Sequence, residues 1–286
     1  MLFREPRCLP VIWLDDRLVP ESEASVSYSD RGYYFGDGIY EVFRVYGGHL
    51  YEADAHYDRL ERSAREIGLG LPYARTEIDD ILRLLLEREH VQNGTVYMQV
   101  TRGVAPRSHP FPADAKPVML AYCSDAARPI HMMQTGISAV TRPDIRWLRC
   151  DLKTLNLLGS VLAKQEAADQ GAGDVILHRD GIVTECSASN LMIVKDGAVL
   201  THPADHLILH GITRAVVLRL AGEQGIHARE RAFTLEELRA ADEAFLTGTT
   251  MEIVPIVQID GLPVGVGEPG PVTRRLQQSF EATIPS

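Results

Sequence analysis

The chain has 29 Lys plus Arg, but only four of these are lysines, at positions 116, 153, 164 and 195. Lys153 lies in "IRWLRCDLKTLNLLGS", where a strand-like run passes into a helical pattern among Trp147, Leu148, Leu152, Leu155, Leu157 and Leu158. Apolar surroundings disfavour an ammonium and favour the free amine, a nucleophile or base that arginine does not supply. A lysine laying its stem on apolar surface at an element end reads the same way. Lys116, in a loop, Lys164, on the polar face of a helix, and Lys195, beside an Asp-Gly turn, read as solvated.

Four other stretches carry groups of a kind that such an amine could work with. In "DGIVTECSASN", Glu185 follows an apolar strand and precedes a turn of small and hydroxylated residues; it could hold a cationic ring nitrogen or be an exposed strand-end glutamate. In "ILHGITRAVV", Gly211 opens a helical pattern, so free backbone N–H groups and the Thr213 hydroxyl form an anion site or a plain loop-to-helix junction. "LTGTTMEI" sets Thr247 to Thr250 around Gly248 at a strand end, where hydroxyls could complete a phosphate cradle. In "VTRGVAPRSHPFP", Arg107 and His109 are two residues apart on a proline-bounded loop, and on an extended backbone both point the same way to clamp a carboxylate. An amine nucleophile, a carboxylate for a ring nitrogen and a helix-end phosphate site together are what pyridoxal phosphate requires of its protein.

The elements that must position these groups follow from periodicity. Hairpins are expected over 12–19, with an Asp-Asp turn, and 39–51, with Gly47-Gly48 between alternating apolar residues. Two helices follow: one carries Tyr57, Leu60, Ala64 and Ile67 on one face and ends near Gly68, and the other starts at the possible cap Thr76. Strands return at "TVYMQVTR" and "PVMLAYC". Beyond a polar, turn-rich stretch come "GISAVTR", "DVILHR", "LMIVK", "AVLTH", "EAFLTG" and "IVPIVQI", with Asp-Gly turns at 180, 196 and 260. Helices are expected over 155–170, 211–224, 234–241 and 271–281. The fold class is α+β, with a smaller N-terminal domain over 1–125, a linker over 126–136 and a larger cofactor-binding domain over 137–286.

Composition narrows the partners. At 286 residues, 45% hydrophobic and 24% charged, the chain can bury about 75% of its unfolded surface, and it holds no apolar run near the ~20 residues of a membrane span. A net charge of -10 argues against a nucleic-acid or anionic-membrane surface and favours a small-molecule substrate. Cysteines 8, 123, 150 and 186 are widely spaced, which suggests neither a disulfide framework nor a zinc site, and "MLFREPRCLPVIWLDD" lacks a signal peptide's apolar core. A cytoplasmic protein without a metal is expected.

The sequence resembles the D-amino acid aminotransferases, in the pyridoxal-phosphate fold-type IV class that also holds branched-chain aminotransferases and aminodeoxychorismate lyases. The likeness runs from about Trp13 to Pro285. It is carried by "DRGYYFGDGIYEVFRVYGG", "HYDRLERSA", "YMQVTRGVAPRSHPFP", "DIRWLRCDLKTLNLLGSVLAKQEA", "ILHRDGIVTECSASNLMIVKDG", "THPADHLILHGITRAVV" and "TGTTMEIVPIVQIDG". It implies a smaller α/β sandwich-like domain, a larger β-barrel-like domain with flanking helices, and a homodimer with the active site at the domain boundary and near the partner subunit. Lys153 would form the internal aldimine and carry the proton from the substrate's α-carbon. Glu185 would pair with the pyridinium nitrogen.

By the same likeness Arg59, which periodicity alone reads as a solvated helix residue, would bind the phosphate with Ile212, Thr213 and Thr249, and Leu209 would line the cofactor. Arg107 and His109 would reach the neighbouring subunit's site and, with Tyr40, hold the substrate carboxylate. Fixing that carboxylate on one side of the ring selects the enantiomer presented to Lys153. The implied reaction is transamination of D-alanine, D-glutamate and similar donors with acceptors such as 2-oxoglutarate or pyruvate. A branched-chain L-amino acid or (R)-amine transaminase of the same fold is the alternative, and a cofactor-free binding protein that keeps the fold is the reading outside enzymes. Two positions depart from the family pattern: Ala188 and Gly248 stand where serines are common, and lost hydroxyls there could weaken phosphate binding or alter how Glu185 is held. The extension "MLFREPRC" has no assigned role.

Overall fold

The computed structural model describes residues 10–285, so the N-terminal extension lies outside it. The described residues form two compact units: one of residues 10–127 together with Lys153–Asn156 and Pro285, the other of Arg128–Leu152 and Leu157–Ile284.

In the first unit, β1 (Val11–Leu14), β2 (Arg17–Pro20), β3 (Gly38–Tyr46), β4 (His49–Leu50), β5 (Gly94–Thr101) and β6 (Val118–Asp125) form an antiparallel sheet in the order β2-β1-β6-β5-β3-β4. Asp15 takes a positive φ in the first hairpin turn, and Gly47 and Gly48 do so in the second, so that each chain reversal matches the twist of its strands. Alternation along β3 and β5 sends Ile39, Phe43, Val96 and Met98 to one face. There α2 (Ala53–Glu66) and α3 (Arg75–Glu89) lay Tyr57, Leu60, Ile78, Leu82 and Leu85 over them. The cap of α3 is Ala74, not Thr76; Glu77 instead accepts from the Ala74 N–H at 2.8 Å. A five-residue helix that periodicity does not reveal, α1 (Arg31–Phe35), is capped by Asp30, which accepts from Gly32 N at 2.7 Å.

In the second unit, β7 (Ile137–Pro143), β8 (Asp174–Arg179), β9 (Ile182–Cys186), β10 (Asn190–Lys195), β11 (Ala198–Thr201), β12 (Ala228–Glu230), β13 (Glu243–Gly248) and β14 (Glu252–Ile259) pair in the order β12-β11-β10-β13-β14-β7-β8-β9, and β15 (Leu262–Pro263) pairs with β14. β9 ends this order, yet a three-residue turn joins it to β10 in the interior. The sheet must therefore curl back on itself, enclosing Ile176, Val183, Leu191, Ile193, Leu246 and Val254. The Asp-Gly pairs at 180, 196 and 260 have positive φ at both residues, as tight hairpins require. Helices α5 (Leu158–Asp169), α6 (Ile212–Glu223), α7 (Leu235–Arg239) and α8 (Pro271–Glu281) flank it. Six residues of the expected linker, Ile130–Thr135, form a further helix, α4, which the polar composition of that stretch conceals.

Candidate active site

In the first unit, the segment bearing Lys153 is irregular and pinned to β3. Thr154 bridges Ile39, Tyr40 N donates to Lys153 O at 3.0 Å, and Leu155 N donates to Gly38 O at 3.1 Å. Lys153 N also donates to Ser63 Oγ at 3.3 Å. The half-buried amine Nζ lies 4.3 Å from the centre of the Tyr40 ring, a cation–π distance. Of its apolar sequence neighbours, Trp147, Leu148, Leu157 and Leu158 are exposed and Leu152 is buried.

Arg59 corrects the reading of a solvated helix residue: it is 6% exposed on α2. Its Nε and one Nη donate to the two oxygens of Glu41 at 2.7 and 2.8 Å, a bidentate fork, and His56 Nδ1 lies 2.7 Å from the same carboxylate. Burial works to raise the Glu41 pKa, but Arg59 and His56 outweigh it and hold the carboxyl well below its usual range. Burial pushes the His56 imidazole below its ordinary value, so a neutral ring donates to Glu41. Neither Glu41 nor His56 is distinguishable by sequence pattern from ordinary strand and helix residues.

Arg107 and His109 are both exposed, and both approach one ring. The Arg107 guanidinium lies 5.3 Å from the Phe35 centroid and the His109 ring 5.6 Å from it.

In the second unit, Glu185 on β9 is 4% exposed, which removes the reading of an exposed strand end. It accepts from Arg146 Nη1 at 2.6 Å, Asn190 Nδ2 at 2.8 Å and Leu209 N at 3.1 Å. Burial raises its pKa to about 7 against the opposing pull of Arg146. Arg146 holds it down only in part because its Nε and other Nη form a fork on Asp144, both at 2.9 Å. Asn190 Nδ2 also donates to Leu209 O at 2.8 Å and so ties the strand to the loop before α6. Sequence reasoning missed Arg146 and Asn190, although both lie inside quoted stretches.

Gly211 caps α6, so no side chain occupies the helix start at Ile212 and the buried Thr213. A Cβ at Gly211 would stand 2.0 Å from Asn190 Oδ1. Asn190 pairs with Thr247 across β10 and β13, so their side chains share a face; the Thr247 hydroxyl is buried without a hydrogen-bond partner. Thr249 follows in the turn after β13. Of the two departures, Ala188 is exposed and outside the set of Glu185 donors. A Cβ at Gly248 would meet Ser189 Cβ at an ordinary 3.4 Å, so its absence leaves open space rather than relieving a clash.

Residues 38–259 match the family described as amino-transferase class IV. The chain is 48% identical over 276 residues, 96% of its length and 98% of the relative's, to a protein of Staphylococcus haemolyticus named D-alanine aminotransferase. It is 47% identical over 276 residues, 96% of each chain, to one of the same name from Listeria monocytogenes. Among solved structures, the Escherichia coli branched-chain amino acid aminotransferase superposes with a TM-score of 0.92 at 27% identity, covering 97% of this chain and 95% of that one. A second branched-chain amino acid aminotransferase, solved with pyridoxamine 5'-phosphate, gives 0.90 at 28%, covering 98% and 95%. The chain, α+β and of the fold-type IV architecture, belongs to the class IV aminotransferases.

Proposed function

We propose that the protein is a pyridoxal-phosphate-dependent transaminase that moves the amino group of D-amino acids, D-alanine and D-glutamate among them, to 2-oxo acids such as 2-oxoglutarate or pyruvate. The observation that carries the donor class is the meeting of Arg107 and His109 at Phe35, in a chain 47–48% identical to proteins named D-alanine aminotransferase. The branched-chain enzymes share the backbone at 27–28% identity, which supports the class and leaves the donor to the more similar relatives.

The residues fit the cofactor. A helix start without a side-chain cap and a buried, unpartnered Thr247 hydroxyl suit a phosphate, and a buried Glu185 suits a ring nitrogen. By the family likeness, Arg59, whose guanidinium is held by Glu41, would bind the phosphate with Ile212, Thr213 and Thr249, Glu185 and Leu209 would hold the ring, and Lys153 Nζ would anchor the cofactor. When bound, pyridoxal phosphate supplies an electron sink for the pair left on the substrate's α-carbon. Lys153 Nζ takes the α-proton. Tyr40, Arg107 and His109 orient the substrate carboxylate, so that one enantiomer presents its Cα–H to that amine.

In this reading the protein is a homodimer in which each loop bearing Arg107 and His109 serves the neighbouring subunit. Ile145, Leu148, Leu158, Val161 and Leu162, 49–70% exposed, support it as apolar surface in need of a cover. The reading includes a cytoplasmic location. It is consistent with three free cysteines, 123, 150 and 186, and with no helix long and apolar enough to cross a membrane, both among the described residues.

Borohydride reduction separates this enzyme from a cofactor-free binding protein. The purified protein should be yellow and lose its visible absorbance on reduction, with the label on Lys153. A colourless protein that takes up no added cofactor would overturn the proposal.

A further inference from the structure

The loop that carries Arg107 and His109 is exposed, yet its backbone is fastened from beneath by one buried side chain. Arg31, 3% exposed on α1, directs its guanidinium at three successive carbonyls: Ser108 O at 2.5 Å, His109 O at 3.2 Å and Pro110 O at 3.4 Å. Its Nε donates to Asp37 at 2.7 Å, and Arg102 Nε donates to the same carboxylate at 2.9 Å. Arg102 is itself anchored on Ile67 O and Gly68 O, and its guanidinium stacks 3.6 Å from the Phe111 ring centroid at the far side of the loop. The near side is tied by Arg31 N to Gly103 O at 2.9 Å and Ala105 N to Ser29 O at 3.2 Å. Above the guanidinium, Phe35 has Arg31 4.8 Å from its ring centre, in addition to Arg107 and His109.

We infer that Arg31 is a positioning residue for the amino acid: it folds residues 108–110 around its guanidinium and thereby fixes the direction in which Arg107 and His109 meet the substrate carboxylate. The inference rests on the reading of those two residues as the carboxylate clamp. A planar fork that satisfies several carbonyls at once is a property of arginine that lysine lacks, since an ammonium is a point charge on a flexible stem. Arg31→Lys keeps the charge beside Asp37 and loses the fork.

The test compares Arg31→Lys, the double variant Arg107→Ala/His109→Ala and the triple variant as holoenzymes, with D-alanine and 2-oxoglutarate. Arg31→Lys should raise KM for D-alanine about tenfold to a hundredfold, the scale of a misplacement of about 1 Å, and far more than it lowers kcat. The visible absorbance of the cofactor should be retained. Added to the double variant, Arg31→Lys should change KM no further, because the groups it positions are gone. An unchanged KM, or the same factor in both backgrounds, would overturn the role of Arg31 while a raised KM in the double variant keeps the clamp. An unchanged KM in the double variant would overturn the clamp itself and the inference with it. Should Arg31→Lys fail to fold, Arg31→Gln, whose amide can still donate to the loop carbonyls but has no fork, is held to the same outcomes.

Discussion

Glu185 sets the electrostatics at the scale of the residue. It is buried, and Arg146 is shared with Asp144, so its carboxyl is pushed up to about 7 from an ordinary 4.5. A folded value above the unfolded one means that the fold favours the protonated form. The associated stability is fully present below pH 4.5 and is lost as pH rises to about 7. For cofactor-free protein the loss is on the order of 3 kcal/mol. Urea midpoints of the apoprotein should fall over this window, and Glu185→Gln, which cannot ionise, should flatten the fall; an equally steep decline in the variant would contradict the assignment. The amine and carboxylate were legible because Lys153 is rare in type and Glu185 ends an apolar run. Their partners were not: Arg146, Asn190, Glu41 and His56 acquire meaning only through contacts of up to 39 positions in sequence, which no local spacing encodes.

Among the elements, α6 and its approach loop form the proposed phosphate site. Gly211 is required by close approach rather than by a positive φ, since its φ is -68 and its missing Cβ leaves room for Asn190 Oδ1. Gly211→Ala should displace Asn190 from Glu185 and Leu209, weaken pyridoxal phosphate binding by about tenfold and cost about 1–3 kcal/mol, the penalty for buried polar groups losing partners. Cofactor titration followed by absorbance and thermal melts would check both; wild-type values in each would show that Asn190 yields without cost. Hairpins and Asp-Gly turns were readable because their φ demands restrict residue type, and α8 was readable over its whole length from its periodicity. α1 and α4 escaped: five and six residues are too few for a 3.6-residue period to emerge, and α1 is specified by the Asp30 cap and by Arg31 pointing inward. The expected helix after Lys153 begins three residues late, at Leu158, because backbone pairing with β3 claims residues 153–155 first.

For the whole molecule, the α+β class was legible from the order of hairpins, helices and strands. The curl of the second sheet came only with the family resemblance, which implies a β-barrel-like domain, because parallel pairings such as β7 with β14 and β8 join segments far apart in sequence and leave no local pattern. Homodimer formation is testable by light scattering, which should give about twice the 31.7 kDa chain mass at micromolar protein. Leu158→Glu and Leu162→Glu together should lower it, because charges would replace apolar surface that the proposed partner covers. A monomer in the wild type would remove the shared site. The donor remains the central claim, and purified holoenzyme incubated with 2-oxoglutarate and, separately, D-alanine, L-leucine and (R)-1-phenylethylamine tests it most directly. Pyruvate should form from D-alanine far faster than the other donors turn over. No pyruvate from D-alanine alongside turnover of L-leucine would contradict it.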